Sequence, residues 1–447
     1  MTGAAEISLR LEGLWMLTPE ENFALTHREH DTGAVRVESS PALLTIESTS
    51  ICNLRCVMCP HAIDAVDRPK HMPAEIIDRL KGPMGLAREA QLHGIGEPLA
   101  SPAFWRALES DAFHPDCILN INTNLTILND RRLALLMAAR TELRLNISVD
   151  AATAETYSRI RGASFDEVTG NIRRLVAARG GGKRPAIYMN MTLMRENIEE
   201  APAFVELAQA LGADRVYLWQ MNHWADEEMA RYRIDRAGWH FDYAEQGLWN
   251  FPALSNRSLR AAQLRSEALG IPLLLEGLKD IFFAEPEPAA APDPPTGAAA
   301  TQAAVAVPAA PETVRDCRAP WEWALVSTDG DVRPCCFAPG TLGNLNQASF
   351  DEIWNGKEMQ RLRGDLLAGV VNRICDKAVC KYVKNTEANA VAGAGPGVSD
   401  ARPNSPKFVQ GKGRSAARGP LLRWGKRVLA AGGRILLKIR TAFVLGG

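Results

Sequence analysis

The sequence predicts an α/β protein in which a partial, TIM-like (β/α)6 barrel precedes a small α+β domain. Three observations predict it. Between residues 42 and 222, six apolar runs of strand length alternate with helix-like segments. The stretch 285–311 is almost entirely Ala, Pro, Glu, Thr and Gln, which cannot bury a core and separates what lies on either side. Beyond it, a hairpin signal with Asp329-Gly330 at the turn is followed by a helical pattern over 350–367.

In chain order, residues 1–41 are mixed and polar without a clear period, and are expected to be an extension covering one end of the next fold. Strands are expected at 43–48, 89–94, 118–123, 143–149, 187–194 and 215–221. Helices are expected at 73–80, 102–112, 130–139, 165–178 and 199–211, the last capped by Asn197. Such units build a parallel sheet with helices outside it, and six fall short of a closed eight-unit barrel. Chemistry in such folds gathers at the C-terminal strand ends. Residues 42–222 form the barrel, 223–283 a bridging segment with a last apolar run at 271–275, and 284–315 a disordered Ala/Pro-rich linker. A folded domain is expected over 316–385 and a loose basic tail over 386–447. Within the tail, 420–445 read as an amphipathic helix. Leu421, Val428, Ile435, Leu436 and Ile439 lie opposite Arg423, Arg427, Arg434 and Lys438, although Gly432-Gly433 interrupt it. Such a face suits peripheral contact with an anionic membrane, docking on a partner, or plain solvation.

At 447 residues the chain exceeds one ordinary core, and its net charge of −1 selects no partner class. The nine cysteines are clustered, which suits metal binding in a reducing compartment better than a secreted disulfide framework. No signal peptide and no run of about 20 uncharged apolar residues is visible, so a cytoplasmic location is expected. Phosphate-loop and nucleotide-fold glycine motifs are absent, the histidines form no metal pattern, and no basic–aromatic pattern argues for nucleic acid.

The chemistry starts directly after the first apolar run. Cys52, Cys56 and Cys59 stand at C-x3-C-x2-C spacing on the loop leaving that strand. Structural zinc normally closes its tetrahedron with a fourth ligand, whereas three thiolates on a [4Fe–4S] cluster leave one iron open. Gly94-Ile95-Gly96-Glu97-Pro98 follows the second strand, where glycines permit close approach and Glu97 can accept from an ammonium. Ser148 and Asp150 end the fourth strand, with Arg161 shortly after; a helix cap at Asp150 is an additional plain role. Thr123-Asn124 end the third strand, either lining the same cavity or making a turn. Cys317, Cys335, Cys336, Cys375 and Cys380 form a second group, and Cys117 alone reads as a small core residue.

With these motifs the chain resembles the radical S-adenosylmethionine (SAM) superfamily over residues 42–222. The resemblance implies a [4Fe–4S] cluster on Cys52, Cys56 and Cys59 whose open iron binds SAM. It also implies reductive cleavage of SAM to a 5′-deoxyadenosyl radical, and hydrogen abstraction from substrate. It places SAM against Gly94, Gly96 and Glu97 (amino group), Ser148 or Asp150 (ribose), Arg161 (carboxylate) and Met58 (adenine). The family's Gly pair is interrupted here by Ile95. Cys317-x12-Gly330-x4-Cys335 resembles the start of SPASM and twitch domains, implying one auxiliary [4Fe–4S] cluster on Cys317, Cys335, Cys375 and Cys380, with Cys336 spare or exchanging roles with Cys335. Zinc on the same four is the alternative there. The expected function is oxidation of a small, sugar-like or lipid-linked substrate, with an electron donor such as flavodoxin or ferredoxin. A peptide maturase is the rival enzyme, and a non-catalytic iron–sulfur or zinc scaffold with a docking tail is the rival of another class.

Overall fold

The structure, a computed structural model, describes residues 17–66, 68–221, 231–236, 238–275, 312–375 and 380–392. The amphipathic stretch 420–445, and all but the last residues of the 284–315 linker, lie outside the described residues. All six expected barrel strands form: β1 (Leu43–Ile46), β2 (Glu89–Gln91), β3 (Ile118–Thr123), β4 (Glu142–Ser148), β5 (Ala186–Leu193) and β6 (Arg215–Gln220). They pair in that order, every pair parallel.

A separate hairpin of β7 (Arg233–Arg236) and β8 (Trp239–Asp242) follows. The sheet then grows at both edges. β9 (Leu273–Leu274), from the last apolar run of the bridge, adds parallel to β6. β10 (Trp323–Val326) adds parallel to β1, with Leu43 opposite Trp323 and Ile46 opposite Val326. β11 (Asp331–Arg333) and β12 (Gly343–Asn344) continue antiparallel from β10, completing ten strands in an open sheet. The hairpin beyond the Ala/Pro-rich stretch is therefore part of the barrel's own sheet. Its turn carries Gly330 at φ +82°, a conformation that glycine adopts without strain.

Alternation along the strands sorts the two faces. Ile187, Met189, Met191 and Leu193 of β5, with Leu145 and Ile147 of β4, are fully buried under the helices. Burial on this scale contributes roughly 1.5–3 kcal/mol per large side chain. Tyr188, Asn190 and Thr192 alternate with them on the concave face, as do Asn146 and Ser148. Parallel strands are usually apolar on both faces. Here the concave face is polar, as a binding cavity requires.

Helices Pro102–Glu109, Asp130–Met137 and Phe165–Arg179 are capped by the side chains of Ser101, Asn129 and Ser164. Asn197 does not cap Ala201–Leu211. Its side chain instead donates to the carbonyls of Asp150 and Thr192, both at 2.9 Å. The expected helix over 350–367 is two, Phe350–Trp354 and Lys357–Leu367. The break is held by Asn355, whose amide exchanges two hydrogen bonds with the Val37 backbone. The polar N-terminal extension contains a helix, Pro19–Asp31, started by a Thr18/Glu21 capping box. It packs on the C-terminal segment through Arg318, which reaches Asp31 at 3.1 Å. Cys117 is fully buried core, as expected.

Candidate active site at the mouth of the barrel

The loop leaving β1 is pinned on both sides before it reaches the cysteines. Ser50 N–H donates to the Lys70 carbonyl, and Glu97 N–H donates to the Ile51 carbonyl, both at 2.9 Å. Gly96 lies so close that a Cβ there would sit 2.5 Å from the Ile51 oxygen and 2.6 Å from that of Thr49. A Cβ at Gly94 would collide with the Glu47 side chain. Gly96 thus allows close approach of two backbones and Gly94 makes room for the Glu47 side chain, while Ile95 between them packs into a second apolar cluster with Val57. Gly96→Ala must therefore push the triad loop aside. Misplacement of about 1 Å can cost about 10²-fold in rate. The variant is expected to lose about that much of the activity the site carries, and part of any metal bound by the three cysteines, read by turnover and metal content.

Cys52, Cys56 and Cys59 all line one cavity at the C-terminal ends of the strands. Burial pushes the Cys52 thiol up to about 12, with Cys56 beside it adding to the rise; burial and Cys56 raise Cys59 likewise. Isolated thiolates are thus disfavoured, and a cationic iron centre is what would hold them ionised. Donors already face the sulfurs. Leu54 N–H lies 3.5 Å from Cys52 Sγ, Asn124 Nδ2 3.9 Å from the same atom, and Arg161 Nη1 3.3 Å from Cys56 Sγ. Among the described residues, no three His, Cys, Asp or Glu side chains form a group suited to a single metal ion. A thiol-lined cavity with N–H donors fits a multi-iron cluster.

Met58, Gly94, Gly96, Glu97, Ser148 and Arg161, with Thr123 and Asn124, line the same cavity. Glu97 is buried and heavily engaged: its carboxylate accepts from Leu99 N–H (3.0 Å), Thr123 Oγ1 (2.6 Å) and Asn124 N–H (2.7 Å). Burial raises its pKa against the pull of those donors. In this structure Glu97 braces the ends of β2 and β3. Asp150 departs from the expected ribose contact, because it does not line the cavity. Fully buried at φ +63°, it accepts from Thr192 N–H at 2.6 Å and pairs with Arg161 Nε at 2.7 Å. Nor does it cap the next helix, which Thr153 caps.

Sequence reasoning missed Asn190. It stands opposite Ser148 in the β4–β5 register, lines the cavity, and its buried Oδ1 has no hydrogen-bond partner. The signal was available, since Asn190 is a polar residue on the alternate face of an apolar strand. The bridging segment was also unread. Tyr243 lines the cavity, and Tyr232, Phe241 and Tyr243 pack with Val57, Ile95 and Ile160 to roof the triad loop. Arg236 fastens this roof, donating to the carbonyls of Arg159 and Ile160 at 3.2 Å and to that of Arg55. A wider groove on the outer helices, around Trp105 and Arg106, contains no cysteine.

The second cysteine group also gathers. Burial, then the neighbouring Cys335, Cys380 and Cys375, raise the Cys317 thiol; burial and Cys380 push Cys375 up to about 11. Cys336, 1 % exposed, packs in a small apolar cluster with Leu325, Trp323 and Phe337, and stands near enough to Cys335 to push that thiol, already raised by burial, up further. Among the described residues no helix is long and apolar enough to cross a membrane.

Comparison with known proteins agrees with this geometry. The profile of the radical SAM superfamily matches residues 46–208, and that of the SPASM iron–sulfur cluster-binding domain matches residues 317–381. The AdoMet-dependent heme synthase of Methanosarcina barkeri is 24% identical over 348 residues, covering 73% of this chain and 86% of its own. The mycofactocin maturase MftC of Mycobacterium tuberculosis is 29% identical over 178 residues, covering 39% of this chain and 43% of its own. Among solved structures, SuiB of Streptococcus suis superposes with a TM-score of 0.51 at 15% identity, covering 76% of this chain and 70% of that one.

Proposed function

Because the chain belongs to the radical SAM superfamily and carries a SPASM domain, we propose that it removes a hydrogen atom from a compact organic substrate held against the concave face and oxidises it. Its cofactors are SAM and [4Fe–4S] clusters, which when bound supply hydrogen-atom abstraction through reductive cleavage of SAM. The observation that carries the proposal is that Cys52, Cys56 and Cys59 line one cavity together with the polar Ser148 and Asn190. Those three cysteines would hold the SAM-binding cluster. Met58, Gly94, Gly96, Glu97, Ser148, Asn190 and Arg161 would hold SAM, with Asp150 acting through Arg161. Glu97 has three protein donors already, so its contribution to the SAM amino group would come from remaining acceptor capacity. Tyr232, Phe241 and Tyr243 cover the triad loop from one side and would limit the access of water there.

Cys317, Cys335, Cys375 and Cys380 would hold the auxiliary cluster, which would take up the electron left on substrate. The apolar seat of Cys336 favours Cys335 as the ligand. Cys335→Ser is accordingly expected to lose the auxiliary cluster's iron, and Cys336→Ser to keep it, as measured by iron content in a background lacking the triad cysteines. A one-electron donor is required, and flavodoxin or ferredoxin would serve.

A compact substrate is favoured by the inner face of β6. Trp219 lines the cavity and stacks on Tyr217 at 5.6 Å and 8°, with Tyr188 behind at 5.7 Å. Such a ladder suits a planar group. The similarity to a heme synthase over most of that enzyme's length also favours a planar group, although a larger one. A peptide substrate is the second reading, favoured by the similarity of the barrel half to a maturase. The test is anaerobic reconstitution, reduction with SAM, and assay for 5′-deoxyadenosine with and without tetrapyrrole or peptide. No 5′-deoxyadenosine from an enzyme with loaded clusters would overturn the enzymatic reading. Stimulation by peptide alone would replace the first substrate class with the second.

A further inference from the structure

Arg161 is a buried cation fastened to a cluster ligand. It ends helix Ala154–Arg161, and the Ile160 carbonyl just before it accepts from Val57 N–H at 3.0 Å, tying the helix end to the triad loop. Its side chain is 10 % exposed. Nε pairs with Asp150 Oδ2 at 2.7 Å while Nη1 donates to Cys56 Sγ at 3.3 Å. Asp150 is itself immobilised, since its other oxygen accepts from Thr192 N–H and its carbonyl from Asn197. The guanidinium is thus held at the sulfur from behind, by a carboxylate 1 % exposed on the far side from the cavity.

We infer that the Asp150–Arg161 pair sets the reduction potential of the cluster on Cys52, Cys56 and Cys59. The inference rests on the reading of that triad as a cluster site. Uptake of one electron from the donor adds one negative charge to the cluster and its thiolates. A positive charge and an N–H···S hydrogen bond stabilise that reduced state more than the oxidised one. Burial enlarges the effect, because water and salt screen a charge so enclosed much less than one at the surface. Asp150 opposes it, its negative charge cancelling part of Arg161's while its geometry aims the guanidinium. The two residues therefore act with opposite sign on potential, although removing either would loosen the same structure. That difference in sign separates tuning from mere support.

The experiment uses the full chain, reconstituted anaerobically, with the triad cluster's reduced EPR signal followed through a mediated redox titration without SAM. Arg161→Gln is expected to lower the reduced-to-oxidised ratio at a given potential at least tenfold, 59 mV for a one-electron couple. Arg161→Lys, which keeps the charge, is expected to lower it less. Asp150→Asn is expected to raise it. The auxiliary cluster, held by Cys317, Cys335, Cys375 and Cys380 in a different segment of the chain, serves as the unshifted internal reference. An Arg161→Gln enzyme with a loaded triad cluster and an unchanged ratio would overturn the inference, as would both variants shifting the ratio the same way. Should Arg161→Gln fail to hold iron, Asp150→Asn decides alone: a rise supports tuning, and no change or a fall refutes it. Failure of the unaltered chain to assemble any triad cluster would refute the cluster reading itself, a distinguishable result.

Discussion

Replacing Cys52, Cys56 and Cys59 together by alanine is expected to abolish SAM cleavage while iron held by Cys317, Cys335, Cys375 and Cys380 remains. The three thiols sit on one loop after β1, and the substitution deletes every thiol that lines the cavity among the described residues. The second group stands on the segment around β10 and β11 and beyond, each thiol influenced by its own neighbours. The loop itself is pinned by backbone bonds at Ser50 and Ile51 that do not involve sulfur, so its removal of thiols should leave the fold intact. The readouts are 5′-deoxyadenosine, expected below detection, and iron per chain, expected to fall to the auxiliary share. Loss of all iron together would signal misfolding and defeat the expectation.

Arg363→Ala is expected to destabilise the chain by roughly 2–5 kcal/mol, the range for cutting a large, fully buried side chain to alanine. Arg363 is fully buried between Trp354, whose ring centre lies 4.9 Å from the guanidinium, and Trp321 at 6.0 Å. It donates to the carbonyls of Pro320 (2.9 Å) and Val35 (3.0 Å), joining the C-terminal helices to the N-terminal extension. Alanine would strand both acceptors and leave a cavity between two indoles. Urea unfolding followed by tryptophan fluorescence should show a lower midpoint with an unchanged slope. A midpoint within error of the unaltered chain would mean that the network is dispensable.

The six barrel strands were legible because each is an apolar run bounded by turn residues, a signal contained within a few neighbours. The cysteine triad was legible for the same reason, since its spacing is local. Asn190 was not, because its importance comes from its register partner Ser148, more than forty residues away in the chain and one strand away in space. Asp150 was misread because its carboxylate stands near the ribose candidate in sequence but turns inward through a left-handed backbone. No local pattern announces that turn. The Pro19–Asp31 helix was missed although Thr18 and Glu21 spell a capping box, because its apolar face is weak and its burial depends on partners such as Arg318. The edge strand β9 is two residues long, and only pairing with β6 makes it a strand; β10 was legible as half of a hairpin, but its pairing with the distant β1 was not.

The place of β10 has a consequence for the order in which this chain can be completed during synthesis. Leu43-Leu44-Thr45-Ile46, the first strand made, has on one side a neighbour that follows soon after and on the other a neighbour made some 280 residues later. Until residue 326 has left the ribosome, one rim of β1 carries unpaired amide and carbonyl groups on an apolar, β-prone segment, an open template for another nascent chain. The late strand is thus the chain's own protection of its earliest one. A chain ending before Trp323 would keep every barrel strand from β1 to β6 and still expose that rim, so aggregation rather than a loss of local structure is the failure to anticipate in any shortened form.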